Sequence, residues 1–148
     1  MDAIKLLKDD HDKVKDLFRQ FERARSADKK KQLADEIMME LEVHSTIEEE
    51  IFYPAVRERG GSDQQEVVAE SIEEHHVVDM LMKEIKELDP SDERFEAKMT
   101  VLIENVEHHI EEEEQEMLPD AKKKLGKDID RLGDQMEQRK QQLMAGAR

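Results

Sequence analysis

HSTIEEEIFYP, residues 44–54, returns as HIEEEEQEMLP, residues 109–119. Each stretch sets a histidine four residues before a glutamate and a proline six residues after that glutamate. The trios are His44, Glu48 and Pro54, then His109, Glu113 and Pro119. Positions i and i+4 of an α-helix share one face, one turn apart. Each pair therefore aims an imidazole and a carboxylate at one point. Working outward, His11 lies 33 residues before His44, and His75 lies 34 before His109. LKDDHDKVKDLF at residues 7–18 and IEEHHVVDMLM at residues 72–82 frame these two histidines alike. The offset between halves is 64 residues for His11/His75 and 65 for the pairs and prolines. A duplicated helical hairpin accounts for both offsets. Four histidines and two glutamates in matched halves make a ligand set for a pair of transition metals.

The repeat also ranks the neighbours. His76 adjoins His75, and His108-x-x-x-Glu112 is itself an i, i+4 pair. Only His109 keeps the distance to proline, and only His75 matches the run around His11. His76 and His108 are therefore expected outside the ligand set. Glu49 and Glu112 point about 100° off the stripe. The glutamate runs 48–50 and 111–114 thus read as solvated acidic face, apart from Glu48 and Glu113. Tyr53, the only tyrosine, points about 140° from Glu48 on an ideal helix and is not counted as a ligand. A hydrogen-bonded His–Glu pair needs no metal. Two such pairs with two further histidines at one level favour metal, because a buried carboxylate without a cation or donors is costly.

Composition bounds the rest. The 148 residues make one domain. Charged residues are 43% and aromatics 3%, with only five Gly and three Pro, which favours helix over a many-stranded β fold. A net charge of −15 argues against nucleic-acid and anionic-membrane partners. With no cysteine, disulfides and zinc–thiolate sites are excluded. No signal-peptide core and no run of 18 apolar residues occurs, so a cytoplasmic protein is expected.

Apolar stripes place four long helices at about residues 3–25, 29–57, 64–88 and 93–118, and a short polar fifth at 128–144. Ser26-Ala27-Asp28, Ser62 or Asp63, and the turn at residues 89–92 supply expected caps. Pro54 should kink or end the second helix. The stripe of that helix is expected to run Leu33, Ile37, Leu41, His44, Glu48, Ile51 and Ala55. The expected fold is all-α: an antiparallel up-down-up-down four-helix bundle over residues 1–125, with a C-terminal helical extension over 126–148. His11, His44, Glu48, His75, His109 and Glu113 fall near mid-helix, so antiparallel neighbours bring them to one level.

The pattern H…HxxxE…H…HxxxE, with FYP after the first pair and MLP after the second, resembles the hemerythrin-like proteins, specifically the HHE cation-binding family. The resemblance covers about residues 1–125. It implies a non-haem di-iron centre bridged by Glu48 and Glu113. His11 and His44 would serve one iron, and His75 and His109 the other; manganese or zinc are the substitutes. It further implies a small diatomic or peroxide ligand: oxygen, nitric oxide, or peroxide disproportionation. Iron or oxygen sensing without turnover is the alternative, and a metal-free acidic bundle the third reading. In one position the chain departs from the oxygen carriers of that family. Four residues after His75 they have a fifth histidine, and here Asp79 stands. Asp79 is expected to orient His75 or a water, or else to add an oxygen ligand. Either role disfavours reversible oxygen carriage and favours oxidant chemistry or sensing.

Overall fold

The computed structural model describes residues 1–146, and no strand occurs among them. The chain runs through α1 (Ala3–Arg23), α2 (Ala27–Ile47), a π-helical turn π1 (Glu48–Phe52), α3 (Tyr53–Arg59) and α4 (Gly61–Lys86). It continues through α5 (Glu93–Glu112), a second π turn π2 (Glu113–Met117), α6 (Leu118–Leu125) and α7 (Asp128–Gly146). Short polar side chains start three of these helices by accepting orphan backbone N–H groups. Asp2 accepts from Ile4 at 2.7 Å, Ser26 from Lys29 at 3.1 Å, and Asp92 from Arg94 at 2.9 Å. The expected cap at Ser62 or Asp63 does not form. Instead α4 begins at Gly61, whose φ of 74° turns the chain in a region open mainly to glycine.

The two long helices expected at residues 29–57 and 93–118 are each interrupted. In π1 the Tyr53 N–H bonds back to the Glu48 carbonyl, and in π2 the Leu118 N–H bonds to that of Glu113. An i→i+5 turn holds one residue more than an α turn, so everything downstream is turned by about 100° relative to a regular helix. The buried stripe moves with it: Phe52 and Val56 are 0% and 2% exposed, while Ile51 and Ala55, expected inward, are only half-buried. Both prolines stand just after a π turn, at the first turn of α3 and of α6, where a missing N–H is tolerated.

α1 packs on α2 and α4 on α5, giving two helical hairpins. Two apolar clusters form the core. One gathers Phe18, Phe21, Ile37, Ile85, Phe95 and Met99. The other gathers Leu7, Ile47, Phe52, Tyr53, Leu118 and Met136. His11, His44 and His75 each fall between their helix's contributions to the two clusters, and His109 lies near the end of α5, before Met117 of π2 enters the second cluster, so a polar layer separates them.

α7 lies along α1, α2 and π1, and buries Ile129, Leu132 and Met136 in the second cluster. A Cβ at Gly133 would collide with the Met1 carbonyl oxygen, so this close approach requires glycine. The expected C-terminal extension is thus built into the core; its residues 147 and 148 lie outside the described residues. No helix among the described residues is long and apolar enough to cross a membrane.

Candidate metal centre

The six expected ligands converge. His11, His44, Glu48 and Glu113 present ligand atoms within 4.8 Å of one another, and Glu48, His75 and His109 do the same. Glu48 Oε1 lies 3.2 Å from His44 Nε2 and also 3.2 Å from His75 Nε2. Glu113 straddles the halves: Oε1 is 3.3 Å from His11 Nε2, and Oε2 is 3.2 Å from His109 Nε2. Glu48 and Glu113 are 0% and 2% exposed.

Every histidine in the cluster donates its Nδ1–H to a carboxylate, leaving Nε2 to face inward. His11 donates to Glu114 at 2.7 Å and His75 to Glu49 at 3.0 Å. His44 donates to Asp10 at 3.0 Å and His109 to Glu74 at 2.8 Å. These outer carboxylates repeat with the ligands. Asp10 and Glu74 each precede the histidine of the first position, and Glu49 and Glu114 each come directly after the glutamate. Such bonds fix tautomer and ring orientation and make the inner nitrogen a better donor. Sequence reasoning assigned Glu49 and Glu114 to the solvated face; the π turns begin one residue earlier and re-aim the side chains beyond them. The signal available was the offset itself, 65 residues for Glu49/Glu114 and 64 for Asp10/Glu74.

Tyr53 is the main correction. The π turn brings it onto the face of Glu48, and its hydroxyl donates to Glu113 Oε2 at 2.8 Å. The same oxygen is 3.3 Å from His75 Nε2 and 3.4 Å from His109 Nε2, and the ring stacks on His75 with centroids 5.4 Å apart. Position 118, its counterpart in the repeat, is leucine. Asp79 also differs from expectation. Glu49, not Asp79, orients His75, while the Asp79 side chain is 48% exposed and pairs with Lys83 at 3.2 Å. His76 is exposed, and His108 pairs with Glu112 at 2.8 Å on the surface. Asp79 and His76 line the mouth of a cavity of about 510 Å³ between α2 and α4. Leu41, Ile72, Met82 and Val106 form its apolar wall, and it reaches all four inner histidines.

The electrostatics are those of a cation site. Burial opposes charge on His44, yet Glu48 and Asp10 outweigh it and hold the imidazole well above its usual range. Burial likewise opposes charge on His109, but Glu113 and Glu74 raise it to about 10. His75 is raised against burial by Glu48. Glu48 shows the converse: burial pushes its carboxyl up, and His44 and His75 bring it well below the usual carboxylate range. Burial, then the Glu48 and Glu113 charges, push the Tyr53 phenol well up, so it remains a donor.

The donor set fits a bound cation. His11 Nε2, His44 Nε2, both oxygens of Glu48 and Glu113 Oε1 are buried without a hydrogen-bond partner. Orphaned groups of this kind are strongly unfavourable unless something else satisfies them. Metal bonds of about 2.1 Å set neighbouring ligand atoms on one ion roughly 3 Å apart, close to the 3.2–3.3 Å separations here. Imidazole nitrogen and carboxylate oxygen suit iron, manganese or zinc.

A helical protein with a histidine–carboxylate cluster between two apolar layers is, as a class, a metal-binding module. The chain belongs to the hemerythrin HHE cation binding domain family, whose family model matches residues 2–121. It is similar to a crystal structure of a hemerythrin HHE cation binding domain-containing protein from Mycobacterium kansasii, an Rv2633c homolog. That likeness has a TM-score of 0.86 at 25% identity, over 99% of this chain and 90% of the other. It is 25% identical, over 119 residues and 80% of its length, to an uncharacterized hemerythrin-like protein of Schizosaccharomyces pombe. It is 32% identical, over 106 residues and 71% of its length, to a DNA nickase of Nostoc sp. (strain PCC 7120). These matches span 59% and 29% of the two curated relatives' own lengths.

Proposed function

We propose that this chain is a non-haem di-iron protein that binds or reacts with dioxygen, peroxide or nitric oxide. The observation that carries the reading is the set of buried ligand atoms without partners, His11 Nε2, His44 Nε2, both oxygens of Glu48 and Glu113 Oε1, gathered from both halves. His11 and His44 would hold one ion, His75 and His109 the other, with Glu48 and Glu113 between them. Iron bound there supplies a redox-active Lewis acid for peroxide disproportionation or oxygen chemistry. The chain's own residues do the rest. Asp10, Glu49, Glu74 and Glu114 hold the imidazoles in register. Tyr53 keeps a proton 2.8 Å from Glu113 and within 3.4 Å of the inner nitrogens of His75 and His109, where it can donate to a basic ligand bound between them. Leu41, Ile72, Met82 and Val106 supply an apolar wall beside the site.

The same reading takes α1, α2, α4 and α5 as an up-down-up-down bundle with the centre at mid-height, and places the protein in the cytoplasm. DNA nicking is not carried over from the Nostoc relative, because a net charge of −15 repels a phosphate backbone. A second reading, sensing without turnover, draws on the charged layer between the two apolar clusters. Filling it with metal would order both hairpins together.

Elemental analysis of the iron-reconstituted protein tests the centre: two irons per chain are expected, with near-ultraviolet absorption from a bridged di-ferric pair. One iron or none after full reconstitution sinks the two-metal reading. Oxygen evolution from added peroxide at known iron loading then separates turnover from sensing.

A further inference from the structure

One departure of the repeat from itself changes the chemistry of the surface beside the inner cluster. In the first half, Asp10 is held by Lys140 of α7, and Val43 and Ile47 of α2, which packs on α7, are 6% and 0% exposed. The matching positions of the second half are Glu74, His108 and Glu112. There the apolar pair has become a histidine and a glutamate, with side chains 67% and 46% exposed. Glu74 from α4 and the His108/Glu112 pair of α5 bring their ligand atoms within 4.8 Å of one another. One imidazole and two carboxylates from two helices form a tridentate set for a divalent cation, with open positions for water.

A second observation points inward from this cluster. A cavity of about 30 Å³, room for a single water or ion, is lined by Glu74, Glu112, His109 and Glu113. Glu113 is 2% exposed and belongs to the inner cluster, its Oε1 lying 3.3 Å from His11 Nε2, so this small cavity joins the surface set to the inner one. Glu74 belongs to both sides, since it also accepts from His109 Nδ1. A cation on the surface set is therefore one carboxylate away from the inner ligands.

We propose that Glu74, His108 and Glu112 form an outer divalent-cation site that captures metal from solvent and loads the inner centre past Glu74. The loading role rests on the di-iron reading above; the outer site does not. A locally acidic mouth raises the cation concentration at the surface and speeds capture.

The test compares the metal-free full chain with His108→Ala/Glu112→Gln, using Co2+ as the probe. Equilibrium dialysis gives ions per chain, and stopped-flow absorbance gives the rate of uptake. His108→Gln alone serves as a milder second variant, and circular dichroism checks the helices. The parent should bind three Co2+ and the variants two, with uptake slowed on the order of tenfold. Equal counts in parent and variants overturn the site. A lost ion with unchanged uptake overturns the loading role. If the parent binds one Co2+ and the double variant none, the inner centre has failed and the outer site stands.

Discussion

A phenol directed at a carboxylate in a dry layer acts as a donor and not as a base. Burial and two nearby carboxylates keep Tyr53 protonated, so its bond to Glu113 persists across the working pH range. Tyr53→Phe removes that donor without changing the ring that stacks on His75. The metal-free variant should lose about 1–3 kcal/mol, the cost of an unsatisfied buried acceptor. Urea denaturation of chelated parent and variant measures this; equal stability would show that Glu113 does not depend on the hydroxyl. The six candidate ligands stand out in sequence because each breaks an apolar stripe at a repeated offset. Tyr53 does not stand out, since its place depends on a backbone irregularity.

At the scale of elements, each π turn acts as an accommodated insertion. Its extra residue leaves the α2 stripe intact up to Glu48 and re-registers Phe52, Tyr53 and Val56 onto the inner face. Deleting exposed Glu50 should convert π1 into an α turn and keep Tyr53 on the face of Glu48, now at i+4. Deleting exposed Asp35 should instead turn His44 and Glu48 by about 100° away from the core upstream. Cooperative thermal unfolding and two-metal loading are expected for the first deletion and lost for the second. Equal damage from both would remove the insertion account. Periodicity and capping residues made the helices legible in sequence, including the starts of α2 and α5. An i→i+5 turn leaves no mark in the order of apolar residues until the stripe beyond it is known. Ile51 and Phe52 are both apolar, and so are Ala55 and Val56; neither frame could be preferred.

For the whole molecule, the charged layer makes stability a function of pH in opposite senses at its two limits. His109, His44 and His75 lie above their ordinary values in the metal-free chain. Their contribution is fully present below the unfolded value of 6.5 and is lost as pH rises, for His109 through about 10. Glu48, Asp10 and Glu74 lie below theirs. Their contribution is present above the ordinary carboxylate values of 3.8–4.5 and is lost as pH falls through the lowered ones. Metal must displace the histidine protons. The metal-free melting temperature should therefore decline between pH 6.5 and 10, by on the order of a few kcal/mol in stability, while the gap to the metal-loaded protein widens. A metal-free melting temperature flat over that interval contradicts the raised histidines.

Duplication gives the two halves matching ligands but not matching surroundings. One half has Tyr53 against His75 and His109, and the other has Leu118 at the corresponding place. α7 covers the first half through Lys140, Ile129 and Met136. Two ions held here would differ in ligand-exchange lability and in redox potential, since proton donors and burial near a metal tune both. A heterobimetallic centre then becomes a kinetic product, with the more inert ion retained under α7 and the labile one traded with the medium. Isotope exchange with labelled iron should resolve into two kinetic classes of equal size.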